Sequence, residues 1–154
     1  MAVQFDRMLK EMDIPPLWLA LALAFSWGLG GIWSVAGLGL AGMALIGAGL
    51  GLMGVAVATM VLARTTFVPR RAPAVLVTGG VFGFSRNPIY LGDALILTGA
   101  ILYWGALLAL PLVPAFMVLI TRRYILDEEA RLRARFGPEF AAWATRVPRW
   151  IGRI

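Results

Sequence analysis

At 154 residues, 60% hydrophobic and only 14% charged, the chain has the length of one domain but not the composition of a soluble one. Its net charge of +6 and pI near 11 raise nucleic acid as a partner, but the basic residues flank apolar runs, a layout that marks membrane topology and attraction to anionic headgroups and argues against nucleic acid. Without Cys or His there are no disulfides, no thiolate or imidazole chemistry and few metal ligands, so no metal site is expected.

From Met1 to Asp13, Phe5, Met8, Leu9 and Met12 recur at helical spacing among charges, which predicts a short amphipathic helix lying on the interface. Pro15-Pro16 suits the first turn of a helix. No charged residue occurs from Ile14 to Ala63, enough for two spans, at about 16–34 and 38–62, joined by a short uncharged turn around Val35 to Gly37. Mixed charges ahead of the first span do not make a cleavable signal, so that span is expected to stay in the mature protein. The second span carries Gly47 and Gly51 in a G-x-x-x-G, read as a close packing face within the chain in preference to a dimer seam. Oligomeric state is left open.

Residues 64–87 form a loop punctuated by Pro69, Pro73, Gly79, Gly80 and Gly83. A third span follows at about 88–104, short for a crossing, and a fourth at about 106–124 that Pro111 and Pro114 loosen. From Asn87 to Thr121 the only charge is Asp93. Past Tyr124 the helix is expected to run on through Asp127, Glu128 and Glu129 until Gly137-Pro138 stops it. A short helix over 139–145 then presents Phe140 and Trp143 on one face.

The expectation is an all-α fold: a single polytopic membrane domain, 1–154, of about four transmembrane helices, with a cytosolic loop at 64–87 and cytosolic C-terminal helices at 125–150. All Lys and Arg then fall on one side of the bilayer, which places both termini in the cytoplasm by the positive-inside rule. The polar groups gathered at that face suit a reaction in which positioning supplies much of the rate, such as methyl transfer from a sulfonium; a solvated rim facing the lipid headgroups is the other reading of the same residues.

Val77-Thr78-Gly79-Gly80-Val81-Phe82, followed by Ser85-Arg86-Asn87-Pro88-Ile89-Tyr90-Leu91-Gly92, resembles the first signature of the isoprenylcysteine carboxyl methyltransferase and phospholipid methyltransferase group. Asp127-Glu128-Glu129, Leu132, Phe136-Gly137-Pro138-Glu139-Phe140 and Val147-Pro148 resemble its second. The likeness covers roughly residues 74–150 and implies a compact, bacterial-type member in the inner membrane, transferring methyl groups to a lipidic or membrane-partitioned acceptor. S-adenosyl-L-methionine would be the cofactor, with S-adenosyl-L-homocysteine as product. By position, Ala74, Val75, Leu76 and Val77 would meet the donor through their backbone, and Phe82, Asn87, Pro88, Ile89, Tyr90 and Glu128 would complete its pocket.

Asn87, Tyr90 and Asp93 are the candidates for the reacting centre, and Arg86 is read as an anchor of the loop. Asn87 stands where the prenylcysteine enzymes have His, and an amide does not titrate. Tyr124 stands where they have a substrate-linked Arg, which leaves Arg122 or Arg123 as substrate-binding candidates. Asp93 has two readings: a group that attracts or deprotonates an amine acceptor, or a structural partner for Arg86 or Arg122. The alternative to an enzyme is a membrane scaffold that keeps the fold without catalysis.

Overall fold

The structure, a computed structural model, describes residues 14–31, 37–65 and 73–152. The amphipathic segment 1–13, the turn residues 32–36, the start of the loop at 66–72 and residues 153–154 lie outside them. The described residues are helical with irregular connections and contain no strand. Helix α1 spans Pro15–Gly28, α2 Leu38–Leu62, α3 Pro88–Tyr103, α4 Leu112–Ile120 and α5 Leu126–Arg146. A 3-10 turn at Gly80–Gly83 lies in the loop and another, Leu107–Ala109, precedes α4. A π-helical turn, Thr121–Ile125, carries α4 into α5 without a break.

Each boundary has a local cause. Pro15 and Pro88 open α1 and α3 at positions whose amide hydrogens have no intrahelical acceptor. The 3-10 turn and Pro111 delay α4 to Leu112, since the proline rings admit no helical hydrogen bond there. Gly137, at φ 49° and ψ −118°, breaks α5 ahead of Pro138 and folds its second half back across the loop.

Helices α2 and α3 are antiparallel and pack backbone against backbone. A methyl group built on Gly42 would lie 2.5 Å from the Gly99 carbonyl oxygen, and one on Gly49 2.7 Å from that of Gly92. Each helix thus supplies two glycines seven residues apart, two turns on one face. Gly47 and Gly51, the pair expected to pack, meet nothing within 4 Å. Their G-x-x-x-G lies on the outer face, because contact with α3 follows the heptad 42/49 and not the four-residue spacing.

The outer surface of α2 presents Leu40, Met43, Leu50, Val55, Val61 and Leu62, an exposed apolar face that suits hydrocarbon and not water. Two helical stretches are long and apolar enough to cross a bilayer, Leu38–Leu62 and Leu107–Arg146. Helices α1 and α3, of 14 and 16 residues, are apolar but shorter. At one end the Gly31 amide donates to the Trp104 carbonyl at 2.8 Å, tying α1 to α3. One core gathers Tyr90, Leu97, Ile101, Phe116, Ile120 and Tyr124 between α3 and α4; a second joins Leu76, Phe82, Phe140, Trp143 and Val147, where the folded-back half of α5 seats on the loop.

Candidate functional site

The loop is fastened at both ends. Thr65, just past α2, accepts the Ala74 amide at 3.0 Å and lies within hydrogen-bond distance of Val75. Beyond it, Leu76, Val77 and Thr78 adopt no regular structure, and their amides make no hydrogen bond among the described residues. Of the four residues expected to meet the donor through their backbone, Leu76 and Val77 therefore have free amides, while Ala74 and Val75 are held by Thr65. Phe82 is buried, and its carbonyl accepts the Trp143 indole N–H at 3.1 Å, so α5 grips the loop from above.

At the far end of the loop, three consecutive residues clasp the segment after α5. The Ser85 hydroxyl donates to the Arg149 carbonyl at 3.3 Å, the Arg86 amide to that of Pro148 at 2.9 Å, and the Asn87 side-chain amide to that of Arg149 at 3.0 Å. Asn87 does not cap α3 with its side chain; its Nδ2 holds the C-terminal segment instead. Pro88 is buried and Ile89 half-buried against the second core.

The two adjacent glutamates of α5 point to different partners, as residues one position apart on a helix must, some 100° around its axis. Glu129 is buried and paired, receiving Arg149 Nε at 2.9 Å and Nη2 at 2.7 Å in a bidentate fork and Arg86 Nη1 at 3.1 Å. Enclosure pushes the Arg86 guanidinium down from its ordinary range against the pull of Glu129, whereas the hydrogen bonds from Glu129 push Arg149 up. Glu128, partly buried, has no hydrogen bond or ion pair among the described residues, and it faces Tyr90 closely enough to interact electrostatically. Burial pushes the Glu128 carboxyl above its ordinary value, reinforced by Glu129 and opposed by Arg131.

Tyr90 and Asp93, one turn apart on α3, are both buried, and the Tyr90 hydroxyl is within electrostatic reach of Asp93, Tyr124 and Glu128. Among the described residues Asp93 forms no ion pair with Arg86, which is engaged with Glu129, or with the exposed Arg122. Arg123 is drawn to α1 instead, its guanidinium 5.2 Å from the centre of the Trp18 ring, and the Trp18 indole donates to the Tyr124 hydroxyl at 3.1 Å. The residues expected at the site thus divide. The Tyr90 hydroxyl lies within electrostatic reach of Asp93 and Glu128; Leu76 and Val77 pack in the second core with Ile89; Phe82 and Asn87 hold the frame; Arg123 is drawn to Trp18 of α1.

Residues 38–139, about two thirds of the chain, match the family model for phospholipid methyltransferase. The chain belongs to the phospholipid methyltransferase family. No curated protein and no solved structure matches it. As a member of this family with two helices able to cross a bilayer, it is a membrane protein, and its family chemistry is methyl transfer to lipid. The match runs from the start of α2 to Glu139, taking in the glycine seam, the loop, α3 and both glutamates. Sequence reasoning missed Ser85, Thr65, Glu129, Trp143 and Arg149 as parts of the frame. Signals existed for Ser85, which lies in the first signature, for Trp143, which shares a helix face with Phe140, and for Glu129, since two adjacent glutamates on a helix point to different partners.

Proposed function

We propose that this phospholipid methyltransferase family member is an S-adenosyl-L-methionine-dependent enzyme that methylates a lipidic acceptor at the cytosolic face. Four spans, with α1 and α3 as the short pair, leave the loop, α5 and both termini on that face, where the Lys and Arg residues gather. The observation that carries the reading is a carboxylate without a hydrogen bond or ion pair among the described residues, Glu128, within electrostatic reach of Tyr90, in a chain whose loop leaves the Leu76 and Val77 amides without a partner among those residues.

These groups fit the donor's chemistry. A carboxylate without a partner complements an ammonium or a pair of ribose hydroxyls, and free amides at Leu76 and Val77 complement heteroaromatic ring acceptors. When bound, S-adenosyl-L-methionine supplies an electrophilic methyl group on sulfonium. Glu128 holds the donor's polar end, and the Phe82–Trp143 contact keeps the loop closed over it. Tyr90 orients the reacting groups from the floor. Asp93 lies one turn deeper, where a carboxylate attracts a cationic amine and takes its proton as the nitrogen becomes a nucleophile. In this scheme Asp93 would take the proton that a cationic amine must shed before its nitrogen can accept the methyl group. Alignment of acceptor and methyl group is the main source of rate.

The test is calorimetric titration of the purified chain in nanodiscs with S-adenosyl-L-methionine and S-adenosyl-L-homocysteine. Micromolar binding that Glu128→Gln weakens and Arg122→Gln leaves intact supports the proposal. A folded parent that binds neither compound overturns it in favour of a scaffold.

A further inference from the structure

On the Glu129 side of α5, away from Tyr90, a cleft of about 460 Å³ opens between the π-helical turn and the segment that follows α5. Arg86, Thr121, Thr145, Arg146, Arg149 and Trp150 contribute to its walls. Its charge is not balanced. Arg86 and Arg149 share a single carboxylate, Glu129, and Arg146 makes no ion pair among the described residues. Arg86 also buries its Nε without a hydrogen-bond partner, a donor left over after Nη1 has met Glu129. A buried guanidinium N–H without an acceptor is uncommon, and it adds to the surplus of positive charge that Arg86, Arg146 and Arg149 place at this cleft. Two of the wall residues mark the bilayer boundary: Thr121 ends the apolar helix α4, and the Trp150 indole donates to its hydroxyl at 3.1 Å.

We infer that this cleft binds the phosphate of an anionic membrane lipid, with Arg146 and the free edges of Arg86 and Arg149 around the phosphate and the acyl chains running down past Thr121. The lipid is held, not methylated. Its phosphate ties the segment after α5 to the bilayer, and the inference does not rest on the methyl-transfer reading.

The probe is dihexanoyl phosphatidylglycerol, which has the phosphate and no amine, titrated calorimetrically into the full chain in micelles. Dihexanoylglycerol and inorganic phosphate are the parallel arms. Arg146→Gln weakens phosphatidylglycerol binding about five-fold, the worth of one interfacial arginine, and Arg146→Lys restores it. Thr145→Glu, which adds a carboxylate at an exposed wall position, weakens it at least as much. Inorganic phosphate binding as tightly as the lipid supports the phosphate site but assigns it a soluble ligand. Equal binding of dihexanoylglycerol, or no effect of Arg146→Gln and Thr145→Glu, overturns the inference. So does an equal loss of S-adenosyl-L-methionine binding in these variants, which would make the cleft part of the donor pocket.

Discussion

Replacing Glu129 by Gln is the sharpest test of the frame, because it keeps the shape of the side chain and removes only its charge. The carboxylate receives three donors, at 2.7, 2.9 and 3.1 Å, from two guanidinium groups. Hydrogen bonds to charged groups contribute about 1.5–3 kcal/mol each. The contacts from Arg149 are discounted, since its side chain is 34% exposed and can rehydrate. Arg86 is 12% exposed and cannot, so most of the loss comes from leaving it enclosed beside an uncharged amide. The expected destabilisation is about 3 kcal/mol, the low end for a broken buried pair. Reversible unfolding in mixed micelles, followed by tryptophan fluorescence, measures it. A second change, Arg86→Met, made on the Glu129→Gln background, should recover much of the loss, since the stranded charge is then gone. A Glu129→Gln cost below about 1 kcal/mol, the range of surface pairs, would refute the reasoning.

Other outcomes follow from the same geometry. Glu128→Gln should leave the fold no less stable at neutral pH, because the carboxylate has no partner to lose and its burial cost is relieved, yet weaken donor binding about tenfold or more in calorimetry. The Glu128 carboxyl titrates above its ordinary value of 4.5, so donor binding should fall on acidification at a higher pH than for a solvated carboxylate. Its stability term has the opposite sense: the folded chain holds the proton more tightly, so this contribution is full below 4.5 and declines as pH rises through the folded value, a slope that Glu128→Gln removes. Gly49→Val should force α2 from α3 and cost about 1–3 kcal/mol, whereas Gly51→Ala, on the open face, should cost next to nothing in the same unfolding assay. Trp143→Phe should cost about 1–2 kcal/mol by stranding the Phe82 carbonyl, and should raise the donor dissociation constant. Since the chain has no cysteine, one introduced at Thr145 should label from the cytosolic side and one at Leu108, beyond α3, only from the opposite side.

Much of the helical plan is written in local chemistry. Pro15, Pro88, Pro111 and Gly137 punctuate the chain where helices start, stall and break, because each acts on its own backbone. Asp93 stood out as the lone charge of its apolar stretch, whereas Tyr90 and Glu128 became candidates only through the resemblance of their segments to the family's signatures. What the sequence hid was choice among equivalents. Gly42 and Gly49 look no different from Gly47 and Gly51 until the neighbouring helix picks a heptad face. Glu128 and Glu129 look like one acidic cluster until the two arginines claim the second. Nothing in the sequence near Asn87 announces that its amide holds a carbonyl 62 positions away.

That long reach has a consequence for how the protein is made. The contacts that close the loop, from Ser85, Arg86 and Asn87 to Pro148 and Arg149 and from Phe82 to Trp143, all join it to the last residues described. A ribosome delivers the helices in order, so α1 to α4 can insert and pair along the glycine seam while the loop still hangs open. The site takes shape only once residues 143–149 have emerged. A chain released after α4 would keep the glycine seam between α2 and α3 and lack the contacts that fasten the loop to α5 and the segment after it. Pairing of the helices and closing of the loop are therefore separate events in time, and a chain truncated between α4 and residue 143 should show the first without the second.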